Sequence, residues 1–218
     1  MKHTEKELLA IKEEVSQMWK LVLSQLEKTK QAFLNGDVET AREIASREKR
    51  VDAFELKIDC DCENYIALFS PVAIDLRLIL SLIKISSTLE RIADFCEGIA
   101  RQVVEEDCKE MQTELVEELQ LEKMFDIVSS MLSDSFVALE SENTKMSGKI
   151  LSKDEEIDNL YHNSIDIITD YLQKKPEHIR SGLKLILLIR KLERIGDHCS
   201  NIVEDIVFYV DAKVLKHA

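Results

Sequence analysis

The sequence predicts an all-α protein: two tandem three-helix bundles, six long helices in all, made by duplication of one unit. Three observations predict this. Glycine and proline are scarce, 5 and 2 in 218 residues, while 33% of residues are charged and only 6% aromatic, a composition that suits long helices and not turns or strands. Apolar residues recur at three- and four-residue steps through most of the chain. And the segment Leu89-Glu-Arg-Ile-Ala-Asp94 returns as Leu192-Glu-Arg-Ile-Gly-Asp197, 103 positions later. Upstream, Glu48-x-x-Val51-Asp52 answers to Asp154-x-x-Ile157-Asp158 at an offset of 106, and the two prolines, Pro71 and Pro176, stand 105 apart. Three signposts in the same order mark an internal repeat. The expected domains are residues 1–108 and 109–218.

Each element follows from its pattern. Leu8, Ile11, Val15, Met18, Val22 and Leu26 form one apolar stripe, a helix from about Thr4 to Leu34. Asn35-Gly36-Asp37 supplies a stop and a new N-cap. A second helix runs to about Phe69, where Ser70-Pro71 breaks it. The third carries Ile74, Leu78, Ile79, Leu82, Ile83, Ile85, Leu89, Ile92 and Phe95. A helix so apolar around its circumference sits between others. Between Glu105 and Glu122 eight acids face one base, Lys109, and this acidic bridge separates the halves. The fourth helix is expected along the stripe Leu115, Leu119, Met124, Val128, Met131, Ser135 and Leu139. Ser141 to Lys149 reads as a loop or a weak helix start, Asp154 to Gln173 as the fifth helix, and Ile179 to Val210 as the sixth, after the break at Lys175-Pro176.

Composition also excludes functions. Forty-two acids against 29 bases give a formal charge of -13, which opposes binding to nucleic acid or anionic lipid by diffuse attraction. No basic run offsets it. Met1 to Lys12 is polar and shows no signal pattern. The apolar stretches Ile74 to Ile85 and Leu183 to Ile189 fall short of the ~20 residues that span a bilayer. The five cysteines, Cys60, Cys62, Cys96, Cys108 and Cys199, form no zinc knuckle and are expected to be reduced. Cys96 and Cys199 occupy equivalent repeat positions and read as small core residues. No Ser-His-Asp set, glycine-rich phosphate loop or open histidine metal site is present, so a non-enzymatic chain is expected.

The candidate site residues are acidic. Glu48/Asp52 and Asp154/Asp158 lie on the middle helices, Glu90/Asp94 and Glu193/Asp197 on the third helices. Four-residue spacing puts each pair on one face, where like charges repel by a few tenths of a kcal/mol. The arms from each pair to the proline break are nearly equal, so an antiparallel hairpin brings four carboxylates level across one groove in each bundle. Such a donor set suits a hard cation, Mg²⁺, Ca²⁺, Mn²⁺ or iron. The competing reading is a set of surface salt bridges with Arg91, Arg190, Lys191 and Arg194. Arg91 and Arg194 each adjoin their own Glu and so leave its face. Periodicity alone supports the two readings equally. His162, spaced i+4 from Asp158, is a further candidate ligand of the second cluster, with Leu56 at its place in the first. His198 follows Asp197 directly and points about 100° away.

The repeated Leu-Glu-Arg-Ile-(Ala/Gly)-Asp, the segment Ser70-Pro71-Val-Ala-Ile-Asp75-Leu-Arg77 and the paired Glu/Asp-x-x-Val/Ile-Asp elements together resemble the PhoU family, over about Glu5 to Val210. That resemblance implies a cytoplasmic, non-enzymatic negative regulator of the phosphate-starvation response. It implies as partners a phosphate ABC transporter and a sensor histidine kinase, and metal clusters of iron, manganese, magnesium or zinc held by the eight named carboxylates. A homodimer is expected at the family level. Asp75-Leu-Arg77 has no counterpart in the second half, where Ile179-Arg180-Ser181 stands, so Asp75 and Arg77 are candidate partner contacts. Two other functions fit less well: an accessory protein of a different phosphate permease, and a carboxylate-metal enzyme.

Overall fold

The structure is a computed structural model that describes residues 3–105 and 113–215, with the side chains of all these except Glu48, Thr113 and Glu114. The expected boundary between residues 108 and 109, Cys108, and residues 106–112 of the acidic bridge therefore lie outside the described residues.

Seven α-helices are formed among the described residues: α1 (His3–Asn35), α2 (Val38–Phe69), α3 (Ala73–Val104), α4 (Thr113–Glu118), α5 (Leu121–Glu140), α6 (Ser147–Lys174) and α7 (Ile179–Asp211). The six long ones are those the apolar stripes predict. Asn35-Gly36-Asp37 does what its residue types suggest. Gly36 takes φ 63, the Asp37 amide reaches back to the Ala32 carbonyl at 2.9 Å, and the Asp37 carboxylate accepts from the Glu39 and Thr40 amides at 3.0 and 3.1 Å. At the first proline break Ser70 takes the left-handed conformation, φ 46. At the second, Pro176 opens a single 3₁₀ turn, Pro176–His178, before α7.

Two boundaries differ from expectation. The fourth helix is broken at Gln120 (φ 52) into α4 and α5. Leu119 and Leu121 are both buried. On one continuous helix two residues so spaced point about 200° apart, and the break turns both inward. Glu117 and Glu118 also crowd the negative end of α4, where acids are disfavoured. The fifth helix, α6, starts seven residues earlier than Asp154, at Ser147, after a turn that includes a 3₁₀ segment, Thr144–Met146.

The helices pack as two antiparallel bundles, α1–α3 and α5–α7. Lys28 pairs with Glu43 and Lys57 with Glu14, the cross-pairing of antiparallel neighbours in α1 and α2. The two bundles share one continuous apolar core. Trp19 of α1, fully buried, donates its indole N–H to the Leu132 carbonyl of α5 at 3.1 Å. The helices α3 and α7 run antiparallel along the seam, where Arg77 meets the Tyr209 carbonyl, Ser81 the Asp205 carbonyl and Lys191 the Gly98 carbonyl, at 3.1, 3.0 and 2.9 Å. At the middle of that seam Phe95 stacks on His198, centroids 5.6 Å apart and planes 28° apart. None of the described helices is long and apolar enough to cross a membrane.

Candidate functional site

The antiparallel hairpins α2–α3 and α6–α7 each bring carboxylates from both helices into one cleft. In the second bundle Asp158 of α6 and Glu193 and Asp197 of α7 place ligand oxygens within 4.8 Å of one another. Asp154, one turn along α6, lines the same cleft of about 370 Å³ with Arg194, Ser200 and Asn201. Its Oδ2 accepts a hydrogen bond from the Ser200 hydroxyl at 2.7 Å. A Cβ on Gly196 would stand 2.9 Å from Asp154 Oδ1. This close approach explains why the second copy of the hexamer has glycine where the first has Ala93.

Glu193 is buried, with only 7% of its surface exposed. Burial, reinforced by Asp197, lifts its carboxyl pKa from the ordinary 4.5 to about 7, against the opposing pull of Arg190. Arg190 donates to Glu193 Oε1, and its guanidinium lies 5.1 Å from the centre of the Tyr161 ring. The other oxygen, Oε2, is buried with no hydrogen-bond partner among the described residues. An orphaned buried carboxylate oxygen beside two further carboxylates is the donor chemistry a hard cation requires. The residues fit such an ion.

In the first bundle Asp52 of α2 faces Glu90 and Asp94 of α3. Burial, then Asp94, Glu55 and Asp52, raises the Glu90 carboxyl to about 7. Burial, then Asp52 and Glu97, also raises Asp94. The Glu48 side chain lies outside the described residues. Glu55 belongs to this group although the motif spacing did not select it. It follows Asp52 by three residues, which puts it on the same face of α2, and that is the signal that could have found it.

Salt bridges and carboxylate clusters prove not to be alternatives. Arg194 pairs with Asp197 at 3.2 Å, and Arg190 with Glu193, each three residues ahead of its partner. Arg194 does leave the face of its adjacent Glu, as expected, but i,i+3 spacing returns it to Asp197. His162 does not join the second cluster. It is exposed, and its Nδ1 meets the Asp158 carbonyl one turn back at 2.7 Å. His198 is buried at the seam; burial, with Arg194 and Arg91 nearby, lowers its pKa. Cys62, Cys96 and Cys199 are buried free thiols and Cys60 is exposed. Burial pushes Cys62 and Cys96 up to about 12 and Cys199 higher still. Such thiols are inert core residues.

Asp75 and Arg77 stand at the start of α3. Asp75 is exposed beside a tip that also exposes Leu68, Val72 and Ile74. Arg77 is partly buried and donates its Nε to the Tyr209 carbonyl.

The duplicated three-helix plan is matched elsewhere. Residues 15–103 and 121–206 each match the PhoU domain, one match per bundle. The chain belongs to the PhoU family. It is 32% identical over 212 residues to the phosphate-specific transport system accessory protein PhoU homolog of Aquifex aeolicus, spanning 97% of this chain and 95% of that one. To the phosphate-specific transport system accessory protein PhoU of Escherichia coli it is 31% identical over 211 residues, 97% of this chain and 86% of that one. Its fold matches the crystal structure of PhoU from Pseudomonas aeruginosa with a TM-score of 0.90 at 26% identity, covering 96% of this chain and 99% of that chain. The phosphate transport system regulatory protein PhoU from Streptococcus pneumoniae matches with a TM-score of 0.88 at 28% identity, over 99% and 100%. The PhoU proteins that it matches are named as accessory or regulatory proteins of phosphate transport.

Proposed function

We propose that this PhoU-family chain is an accessory protein of phosphate-specific transport that acts as a negative regulator of the phosphate-starvation response. It works without turnover in the cytoplasm, coupling a phosphate ABC transporter to a sensor histidine kinase through protein contacts. The observation that carries this reading is the match of both bundles to the PhoU domain, in a chain aligned over 97% of its length with phosphate transport accessory proteins. Deleting the gene should leave phosphate-starvation genes expressed in phosphate-rich medium. Normal repression in the deletion strain would sink the regulatory reading.

The carboxylate clefts are proposed to hold multivalent cations, with Glu48, Asp52, Glu90 and Asp94 in one and Asp154, Asp158, Glu193 and Asp197 in the other. The buried oxygen of Glu193 and the convergence on it of Asp158 and Asp197 support this. A bound ion would neutralise like charges that otherwise repel across each hairpin and so hold α2 to α3 and α6 to α7. Elemental analysis of protein purified without chelators should find metal, and the Asp94→Ala, Asp197→Ala double variant should lose it. Wild-type protein that is metal-free refutes the sites.

Partner contact is proposed at the tip of the first bundle, around Asp75 and Arg77. Exposed Leu68, Val72 and Ile74 beside an exposed carboxylate make a mixed apolar and charged surface suited to a transient interface. Because Arg77 also ties α3 to α7, its substitution mixes stability with recognition. Asp75→Lys and Val72→Asp are the cleaner probes. Either should weaken repression while the melting temperature holds, and full repression by both would remove the tip from the interface.

A further inference from the structure

We propose that the two clefts are not equivalent cation sites: Arg190, held over Tyr161, is a built-in counter-cation of the second cleft, and the first cleft, which has Ser87 and Glu55 at those positions, is the tighter site for a multivalent ion. This rests on the cation reading of the clefts given above and specifies which of them loads first.

The repeat itself supplies the comparison. At the 103-residue offset Arg190 corresponds to Ser87, and at the 106-residue offset Tyr161 corresponds to Glu55. One exchange adds a cation to the second cleft. The other exchange gives that cation an aromatic face to rest on and removes a carboxylate. Arg190 donates to Glu193 and lies 5.1 Å from the Tyr161 ring centre, so it is fixed from two sides. Arg194 occupies Asp197 at 3.2 Å. An incoming ion meets a cleft in which two of its four named carboxylates already have a guanidinium. On α7 itself, the buried Oε2 of Glu193 is left without a hydrogen-bond partner among the described residues.

Among the described residues the first cleft has no such occupant. Its α3 carboxylates have Arg91 near them, but among the described residues Arg91 forms no ion pair with either, whereas Asp52 acts on both from α2 and Glu55 acts on Glu90. Counting Glu48 from the sequence, five carboxylates and one arginine stand against four carboxylates and two arginines in the second cleft. Ionic repulsion among acids is thus left to an ion in one cleft and largely answered by the protein in the other. Groups that act on a metal through its ligands change affinity on the order of 10–100-fold, and Arg190 acts on Glu193 in this way.

The test is titration of the metal-stripped full chain with Mn²⁺ alone, reading the free ion by electron paramagnetic resonance. Two classes of site are expected, at least about tenfold apart, the tighter removed by Asp94→Ala and the weaker by Asp197→Ala. Arg190→Ser should tighten the weaker class towards the stronger, while Arg190→Lys, which keeps the charge, should leave it weak. Glu55→Tyr should weaken the tight class. A thermal melt of each variant checks that it is folded. Two equal classes in the wild type, or a tight class removed by Asp197→Ala, overturn this inference and leave the cation reading standing. A weaker class unmoved by Arg190→Ser in folded protein also overturns it. Absence of Mn²⁺ binding in wild type and variants alike overturns both.

Discussion

The two carboxylate clefts descend from one repeat and rest on the same support, but they neutralise their charge differently. Beneath each lies a fully buried aliphatic residue of the middle helix, Val51 or Ile157. Above it the second cleft has Gly196, which admits Asp154, and Ser200, which holds it. The first has Ala93 and Glu97 at those positions, and Glu97 pairs with Arg101 on its own helix. The comparison teaches that a repeated backbone preserves where carboxylates converge, while a few neighbouring residues decide what faces them.

The support is the part most costly to disturb. Ile157→Ala should destabilise the chain by about 2–5 kcal/mol, the range for truncating a buried isoleucine, and Val51→Ala by less because it removes less. Urea denaturation measures both. If the two cost the same, the support of the clefts is not the packed layer described here. The next effect comes from exchanging the small residues. Gly196→Ala places a methyl 2.9 Å from Asp154 Oδ1, an overpacking that costs about 1–3 kcal/mol, offset by up to about 1 kcal/mol of helix propensity. Ala93→Gly forfeits about 1 kcal/mol of that propensity with no clash to relieve. The discriminating readout is Asp154: Gly196→Ala should dislodge its carboxylate from Ser200 in a crystal structure, and an undisturbed Asp154 would refute the close-approach argument.

A pH scan sharpens the same comparison. Glu90 and Glu193 both have folded pKa values of about 7 against an ordinary 4.5. The folded state therefore binds more protons than the unfolded one between those values, and stability falls as pH rises through them. The melting temperature of metal-stripped protein should drop between about pH 4.5 and 7, and Glu90→Gln with Glu193→Gln should flatten the drop. Added Mn²⁺ should restore stability at the upper end, where it replaces the lost protons. A melting temperature that rises across this window would contradict the burial assigned to these carboxyls. The smallest effect is chemical. Of the four cysteines described, only Cys60 should react quickly with a thiol reagent in native protein, and all five should titrate as free thiols after denaturation.

Much of this molecule was legible in its sequence because helices write their faces into residue spacing. Pro71 and Pro176 located the hairpins, Asn35-Gly36-Asp37 located a cap, and the repeated acids located the clefts. What spacing does not carry is the rotation of one helix against another. That Arg190 would lie on Tyr161, or that Arg77 would reach the last turn of α7, depends on contacts between segments far apart in the chain. The break at Gln120 was hidden for another reason. Neither glycine nor proline marks it, and only the burial of both Leu119 and Leu121 demands it. Glu55 was within reach of helical arithmetic, but the second repeat has Tyr161 at that position, so a search for shared residues passed over it.

The stack of Phe95 on His198 shows what tandem duplication makes available. The two residues are equivalent by the repeat and meet each other at the centre of the seam. In a symmetric dimer of a single-repeat protein, a residue on the two-fold axis can meet only its own copy. The choice there is two phenylalanines or two histidines, one pair without a titratable group and the other with two of them pressed together. Joining the repeats in one chain removes that constraint, because each copy mutates alone. The axis can then carry one aromatic hydrocarbon and one imidazole, a pairing closed to identical subunits, and the halves on either side are free to diverge.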